Sequence, residues 1–245
     1  LALLGGLGVL MVNKAVGTGP DALMPTILAG LTCLGGGVVL GAIQGLIVGY
    51  GKVAPFVATL VGLMTFRSVI LAISNGGEIR SMSSDYFTRL GQGGISVPGL
   101  SDTVGRPLQL NYSIFLFFII AIITGVLLNK TRFGRHLVAV GANERAALYS
   151  AVNVNIIKLG AYAFLGLCVG VAAWITASRM NSVASASVGL FMELDAIAAV
   201  VVGGTSLRGG NGRVWGTVVG VLILGIITNI LVVKGVSVYW QGVVK

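Results

Sequence analysis

The chain has 245 residues, of which 56% are hydrophobic and only 9% charged. A soluble domain carries about 25% charged residues, and one core of this size cannot hide so much apolar surface, so a water-soluble globular fold is excluded. The net charge of +9 does not point to nucleic acid, because the basic residues fall between apolar runs and form no dense patch.

A helix needs about 20 apolar residues to cross hydrocarbon. In chain order, Leu1 to Val12 reads as the end of one span, Leu23 to Tyr50 as a long one, and Ala54 to Ser74 as the next. A polar stretch over 75–111 precedes Tyr112 to Leu128 and Leu159 to Ser178. Val188 to Gly204 is apolar but carries Glu193 and Asp195; Val214 to Val233 is clean, and Val238 to Lys245 begins another run. Gly, Pro, Asn or charge bounds each run. The chain opens inside an apolar stretch, with no initiating methionine or signal peptide, and stops as another begins, so a fragment of a longer chain is expected. The expected fold class is an all-α membrane protein, a polytopic bundle of transmembrane helices in one domain over 1–245.

Lysine and arginine set the orientation. If the loop over 129–158 is cytosolic, alternation puts Lys52, Lys130, Arg132, Arg135, Arg145, Lys158, Arg208 and Arg213 on that side. Lys14, Arg179 and Lys234 fall outside, and the extracytoplasmic loop over 75–111 balances Arg80, Arg89 and Arg106 with Glu78, Asp85 and Asp102. This bias holds only where 188–204 completes a crossing; a re-entrant hairpin there inverts everything after it.

Gly37, Gly41, Gly45 and Gly49 recur every four residues, as do Gly212, Gly216 and Gly220. Such a stripe lets a neighbouring backbone come close. Cys33 and Cys168 lie inside apolar runs without CxxC or Cys/His spacing, which favours apolar packing over a metal site or disulfide framework. His136 has no ligand partner at metal spacing. No nucleophile–base or metal constellation is present, so an enzyme is not expected and no cofactor is implied.

Two segments carry candidate function. In the 129–158 loop, a basic start (NKTRFGRH) leads through Gly141 to NERAALYSAVNVNIIK. Asn143 can N-cap a short helix, Glu144 in its first turn suits the helix dipole, Ala146 and Ala147 are small enough to fit a surface, and Leu148 supplies an apolar contact. Such a helix suits docking into a groove of a soluble partner; an ordinary solvated connector is the alternative. The second segment, FMELDAIAAVVVGGTSLRGGNGRVWG from Phe191 to Gly216, mimics a dinucleotide fingerprint, but the glycine spacing is wrong and no acidic residue follows about 20 positions on. No GxxxxGK[ST] occurs either, so any ATPase belongs to another chain.

Polar groups inside or at the edge of spans are the remaining candidates. Glu193 and Asp195 read either as a pathway site or as acids in the first turn of a helix. Arg67 lies well inside a span, at a cost of about 2.5–3.5 kcal/mol, and calls for snorkelling, a carboxylate or backbone carbonyls. Gln44, Thr59, Thr228 and Asn229 can bond a hydroxyl-rich solute or neighbouring helices.

On these residues the chain resembles the permease subunits of bacterial ATP-binding-cassette importers for ribose and related monosaccharides. The resemblance runs over essentially the whole chain and is strongest from Met192 to Asn229, with GVSVYWQGVVK after it, PFVATL at Pro55 to Leu60, and TRFGR at Thr131 to Arg135. It implies import by alternating access in the bacterial inner membrane, surrounded by membrane lipid. The implied partners are a second permease subunit (identical or not), a cytoplasmic ABC ATPase and a periplasmic sugar-binding protein; nucleic acid is not one of them. The implied coupling segment comprises Asn143, Glu144, Arg145, Ala146, Ala147, Leu148, Ala151 and Asn153, with Ala151 where the family has Gly and Arg145 within its Glu-Ala-Ala pattern. Gln44, which replaces a common Asn, Thr59, Glu193, Asp195, Thr228 and Asn229 are the pathway candidates. Compared with whole members, the chain lacks the first span and most of the last. A branched-chain amino acid permease is the nearest rival, though GGTSLRGGNG and ELDAIAAV favour the sugar branch. A secondary transporter needs an ion site near the midplane, for which only Glu193 and Asp195 can serve.

Overall fold

The computed structural model describes residues 2–15, 23–81, 85–101, 107–237 and 240. Among them five helices are long and apolar enough to cross a membrane. They lie in α2 (Leu23–Gly49), α3 (Pro55–Ile73), α5 (Tyr112–Lys130), α8 (Val154–Met180) and α10 (Val214–Val233). At about 1.5 Å per residue they run roughly 28–40 Å, against about 30 Å of hydrocarbon. Shorter helices are α1 (Ala2–Ala15), α4 (Asp85–Gln92), α6 (Arg132–Ala142), α7 (Glu144–Tyr149) and α9 (Met192–Val202). The long helices turn apolar side chains outward: Ile119, Ile122 and Ile123 of α5, and Val232 and Val233 of α10, are exposed. Water does not tolerate so continuous an apolar cover; lipid does. The all-α polytopic bundle anticipated from the apolar runs is the fold observed.

Helix boundaries follow from local chemistry. Pro55 takes the first position of α3, where its missing N–H costs nothing. The α8 helix starts at Val154, five residues before the apolar run, because the Asn153 side chain accepts the Ile156 N–H at 3.3 Å and caps it. The segment over 188–204 departs most from its expected form. It is helical only from Met192 to Val202, about 16 Å, after turns over 185–191. The run over 238–245 lies outside the described residues apart from Trp240.

The stretch over 75–111 is also more ordered than a loop. It holds α4 and three strands, β1 (Glu78–Arg80), β2 (Gly94–Ser101) and β3 (Pro107–Asn111). β2 pairs antiparallel with β3, with a register shift between Ser96 and Ser101. β1 pairs antiparallel with β4 (Ser182–Ala184), Ile79 opposite Val183.

The chain forms two compact units, 1–119 with 158–188, and 120–157 with 189–245. In the first, α1 packs along α2 and α3, and Leu3, Leu4, Val9 and Val12 join Ala29, Ile70, Ala173 and Ala177 in its core. Here α2 and α8 meet backbone to backbone. A Cβ on Gly45 would stand 2.8 Å from the Leu159 Cα, and one on Gly37 or Gly41 would overlap the carbonyl oxygen of Gly166 or Tyr162. The four-residue glycine repeat is thus a close-packed seam.

One end of this unit is tied by hydrogen bonds. Asn13 Nδ2 donates to the Arg80 carbonyl at 2.9 Å, and the Ser81 N–H to the Asn181 carbonyl at 3.1 Å. Ser74 Oγ donates to Ser185 Oγ at 2.9 Å, which donates to the Gly77 carbonyl at 2.7 Å. Gln92 Nε2 donates to the Arg179 carbonyl at 3.0 Å, and Ser178 Oγ to that of Phe87. The Glu78 carboxylate is held below the usual range by hydrogen bonds from Ser182 and then Arg80.

In the second unit α9 and α10 form a helical hairpin and α6 packs on α7. The turn over 203–213 lies against the end of α6 at Gly141 and Ala142.

Candidate functional site

The short helix expected after Asn143 is present and is bracketed on both sides. Thr131 Oγ1 accepts the Gly134 N–H at 3.2 Å and starts α6. Asn143 Oδ1 then accepts the Ala146 N–H at 3.1 Å, leaving Glu144 in the first turn of α7 beside the positive end of its dipole. The helix ends in two reverse bonds at 3.1 Å, Ala151 N–H to Leu148 O and Val152 N–H to Ala147 O. This closure needs a left-handed residue, and Ala151 adopts it at φ +59°. An alanine there costs about 1–2 kcal/mol relative to a right-handed conformation. Ala151→Gly is therefore expected to stabilise α7 by about 1 kcal/mol, slowing amide exchange across 146–152 roughly five-fold. Exchange mass spectrometry reads this directly, and Ala151→Val should change it in the opposite sense.

Exposure sorts the side chains of this helix. Ala147 is 5% exposed, while Leu148 is 62% and Tyr149 is 88% exposed. Glu144, Arg145 and Ala146 also face solvent. Ala147 thus packs inward, against its expected use at a docking surface, and α7 presents Leu148 and Tyr149 outward. Tyr149 escaped the sequence reading; the signal was an adjacent Leu–Tyr pair closing a six-residue helix on a polar loop. Asn153 caps α8, so its chemistry is spent on the backbone.

The pathway candidates fall in separate places. Glu193 and Asp195 share the first turn of α9, with Glu193 exposed and Asp195 half-buried. The residue before that helix, Phe191, is left-handed at φ +60°, an uncommon state for a bulky side chain and a place where backbone strain is held. Its carbonyl accepts the N–H groups of Leu194 and Asp195 at 3.1 and 3.2 Å. In the same unit, Thr228 Oγ1 donates back to the Leu224 carbonyl at 2.8 Å. Asn229 lines a shallow groove with Ile226, Ile230, Val233 and Lys234.

In the other unit, Thr59 Oγ1 donates to the carbonyls of Pro55 and Phe56 at 3.0 and 3.1 Å. Gln44 of α2 lies against Gly62 of α3, its Oε1 buried without a partner. Thr59 and Thr228 thus bond within their own helices, and among the described residues no three His, Cys, Asp or Glu cluster as metal ligands.

Arg67 takes a backbone carbonyl instead of a carboxylate: its guanidinium donates to the Ala186 oxygen. That carbonyl belongs to the turns over 185–191, where no helix satisfies the backbone and a donor within an apolar environment is needed. Removing the charge relieves about 2.5–3.5 kcal/mol of insertion cost, and orphaning the carbonyl costs about 1–3 kcal/mol. The two nearly cancel. Arg67→Met should therefore insert at least as well as wild type while amide exchange over 185–191 rises. Unchanged exchange there counts against the anchor.

Long apolar helices joined by polar loops, one of them carrying a capped short helix, define a multi-pass membrane protein. The chain belongs to the branched-chain amino acid transport system / permease component family, whose family model matches residues 1–245. It is 40% identical over 209 residues to ribose import permease protein RbsC of Escherichia coli strain K12, covering 85% of this chain and 62% of that protein. It is 43% identical over 206 residues to the ribose import permease of Bacillus subtilis strain 168, covering 82% and 59%. To the galactose/methyl galactoside import permease protein MglC of Escherichia coli strain K12 it is 37% identical over 227 residues, covering 91% and 65%. The chain thus spans less than two-thirds of the length of these curated relatives. No solved structure matches it significantly.

Proposed function

We propose that this chain is the membrane-spanning part of an ATP-binding-cassette importer subunit that carries a monosaccharide of the ribose or galactose class across the bacterial inner membrane. The observation that carries the reading is α7, a capped helix with Leu148 and Tyr149 exposed, in a chain about 40% identical to ribose import permeases. Its partners in this reading are a second permease subunit, a cytoplasmic ATPase and a periplasmic sugar-binding protein. ATP hydrolysis takes place on the ATPase, and this chain contributes the passage and the coupling surface. A sugar drives the cycle only through unequal affinity for the inward- and outward-open states.

The loop over 129–158 is cytosolic in this reading and the 75–111 segment extracytoplasmic. The packing of the 203–213 turn on Gly141 and Ala142 supports one side for Arg208, Arg213 and the basic residues from Lys130 to Arg145. The chain then crosses over 185–203 in two pieces, turns followed by α9. Branched-chain amino acids remain the second substrate class, supported by the family's description; the sugar-import relatives favour the first.

Two measurements test this. Ser150 is exposed and Cys33 and Cys168 lie within long helices, so Ser150→Cys, introduced with any other cysteine replaced, should in intact cells resist a membrane-impermeant thiol reagent until the inner membrane is opened. Full-length protein reconstituted with its ATPase and binding protein should take up labelled ribose or galactose and not leucine. Labelling of Ser150→Cys from outside, or uptake of leucine alone, overturns the reading.

A further inference from the structure

The end of α6, just before the cap of α7, packs closely on the turn that joins α9 to α10. A Cβ on Gly141, at the end of α6, would stand 2.9 Å from the Gly210 amide nitrogen, and one on Gly210 would stand 2.8 Å from both the Cα and Cβ of Ala142. A Cβ on Gly209 would overlap the Gly141 carbonyl oxygen. Gly209 and Gly210 are left-handed at φ +85° and +74°, so two features at once demand glycine there. The turn is braced from within. The Ser206 N–H donates to the Asn211 carbonyl at 3.0 Å and that of Gly209 to Ser206 O at 3.1 Å, while the Arg208 N–H donates to Ser206 Oγ at 3.2 Å.

The contact continues into the hairpin. A Cβ on Gly203 would stand 2.6 Å from the Thr217 nitrogen, and Gly216 and Gly220 abut the carbonyls of Gly203 and Ala199. On the other side, Asn143 alone separates Ala142 from Glu144 at the start of α7. Side chains that hop rotamers can absorb a displacement. Backbone packed on backbone has no rotamer to change and passes it on.

We propose that Gly141, Gly209 and Gly210 are positioning residues that lock α7 to the α9–α10 hairpin, so that a push on α7 moves Glu193, Asp195 and Phe191 with it as one rigid piece. This rests on the importer reading, in which α7 receives the push from the ATPase. The clasp itself binds nothing; its work is to convert a displacement at the cytosolic surface into one at the broken crossing.

The test uses the full-length complex with its ATPase and binding protein in liposomes. Spin labels on Arg145→Cys and Leu207→Cys, both exposed, report the distance between α7 and the turn with and without a non-hydrolysable ATP analogue. The inference expects the same distance in both states. Gly210→Ala should leave ATP hydrolysis close to wild type while the ATP consumed per sugar imported rises about ten-fold, within the range for loss of a coupling contact. Where Gly210→Ala fails to assemble, the wild-type distance decides. A distance that changes with nucleotide, or an assembled Gly210→Ala with unchanged stoichiometry, overturns the clasp and leaves the importer reading standing. Absence of sugar-stimulated hydrolysis in the wild-type complex overturns both.

Discussion

Gly41→Leu is expected to abolish accumulation of folded protein in the membrane, whereas Gly35→Leu, less than two turns away on the same helix, is expected to leave it intact. A Cβ on Gly41 would overlap the Tyr162 carbonyl oxygen and stand 3.1 Å from the Gly166 Cα, while one on Gly35 would meet nothing within 4 Å. Overpacking among side chains costs about 1–3 kcal/mol because rotamers give way. Backbone has no rotamer to change, so α2 and α8 must separate along their seam, and a fold with about 5–15 kcal/mol in hand cannot absorb that. Without a hydrophobic drive between helices in lipid, close packing is what holds them together. Size-exclusion profiles and thermal transitions in detergent compare the pair directly. A Gly41→Leu protein that purifies as one species with a wild-type transition would show that the seam is dispensable.

The second large effect is at α7, which faces the cytosol and meets the ATPase in the proposed reading. Tyr149→Ala is expected to weaken ATPase association about 30-fold or more, the consequence of losing an anchor worth about 2 kcal/mol. Leu148→Ala should act in the same direction. With 88% of its surface exposed, Tyr149 contributes little to this chain's own packing, so membrane insertion and the thermal transition should not move. Ala147 makes an instructive contrast: at 5% exposure, a bulky replacement disrupts the loop itself and does not report docking. Co-purification of the ATPase with each variant, repeated at raised salt, separates an apolar anchor from the charges of Glu144 and Arg145, because only the latter are screened. Tyr149→Ala that retains its ATPase at wild-type affinity counts against α7 as the docking element.

Part of this molecule can be read without any structure. The apolar runs place α2, α3, α5 and α10 within a few residues, because lipid demands one thing of a crossing helix, about 20 apolar residues in succession. The cap at Asn143 was equally legible, since a side chain that accepts from an N–H three residues on is a local matter. Other features depend on partners far along the chain. β1 finds β4 across the whole stretch over 81–181, and no pattern in EIR or SVA announces it. The break before α9 was hidden in the same way: Val188 to Gly204 looks like one apolar run, yet Phe191 turns left-handed and splits it. Hydropathy measures the cost of leaving water, which is indifferent to the backbone path.

Composition and periodicity by themselves determined that this chain lives in a bilayer, where its long helices lie, and that glycine brings some of them close. Only the tertiary structure decided which glycines matter, with Gly41 locked against α8 and Gly35 facing open space. It also decided that Thr59 and Thr228 spend their hydroxyls on their own helices, and that Arg67 answers a stray carbonyl at Ala186. The physical reason is one of range. Transfer from water is a property each residue carries alone, whereas a close approach or a hydrogen bond belongs to two groups at once and exists only after the chain has brought them together.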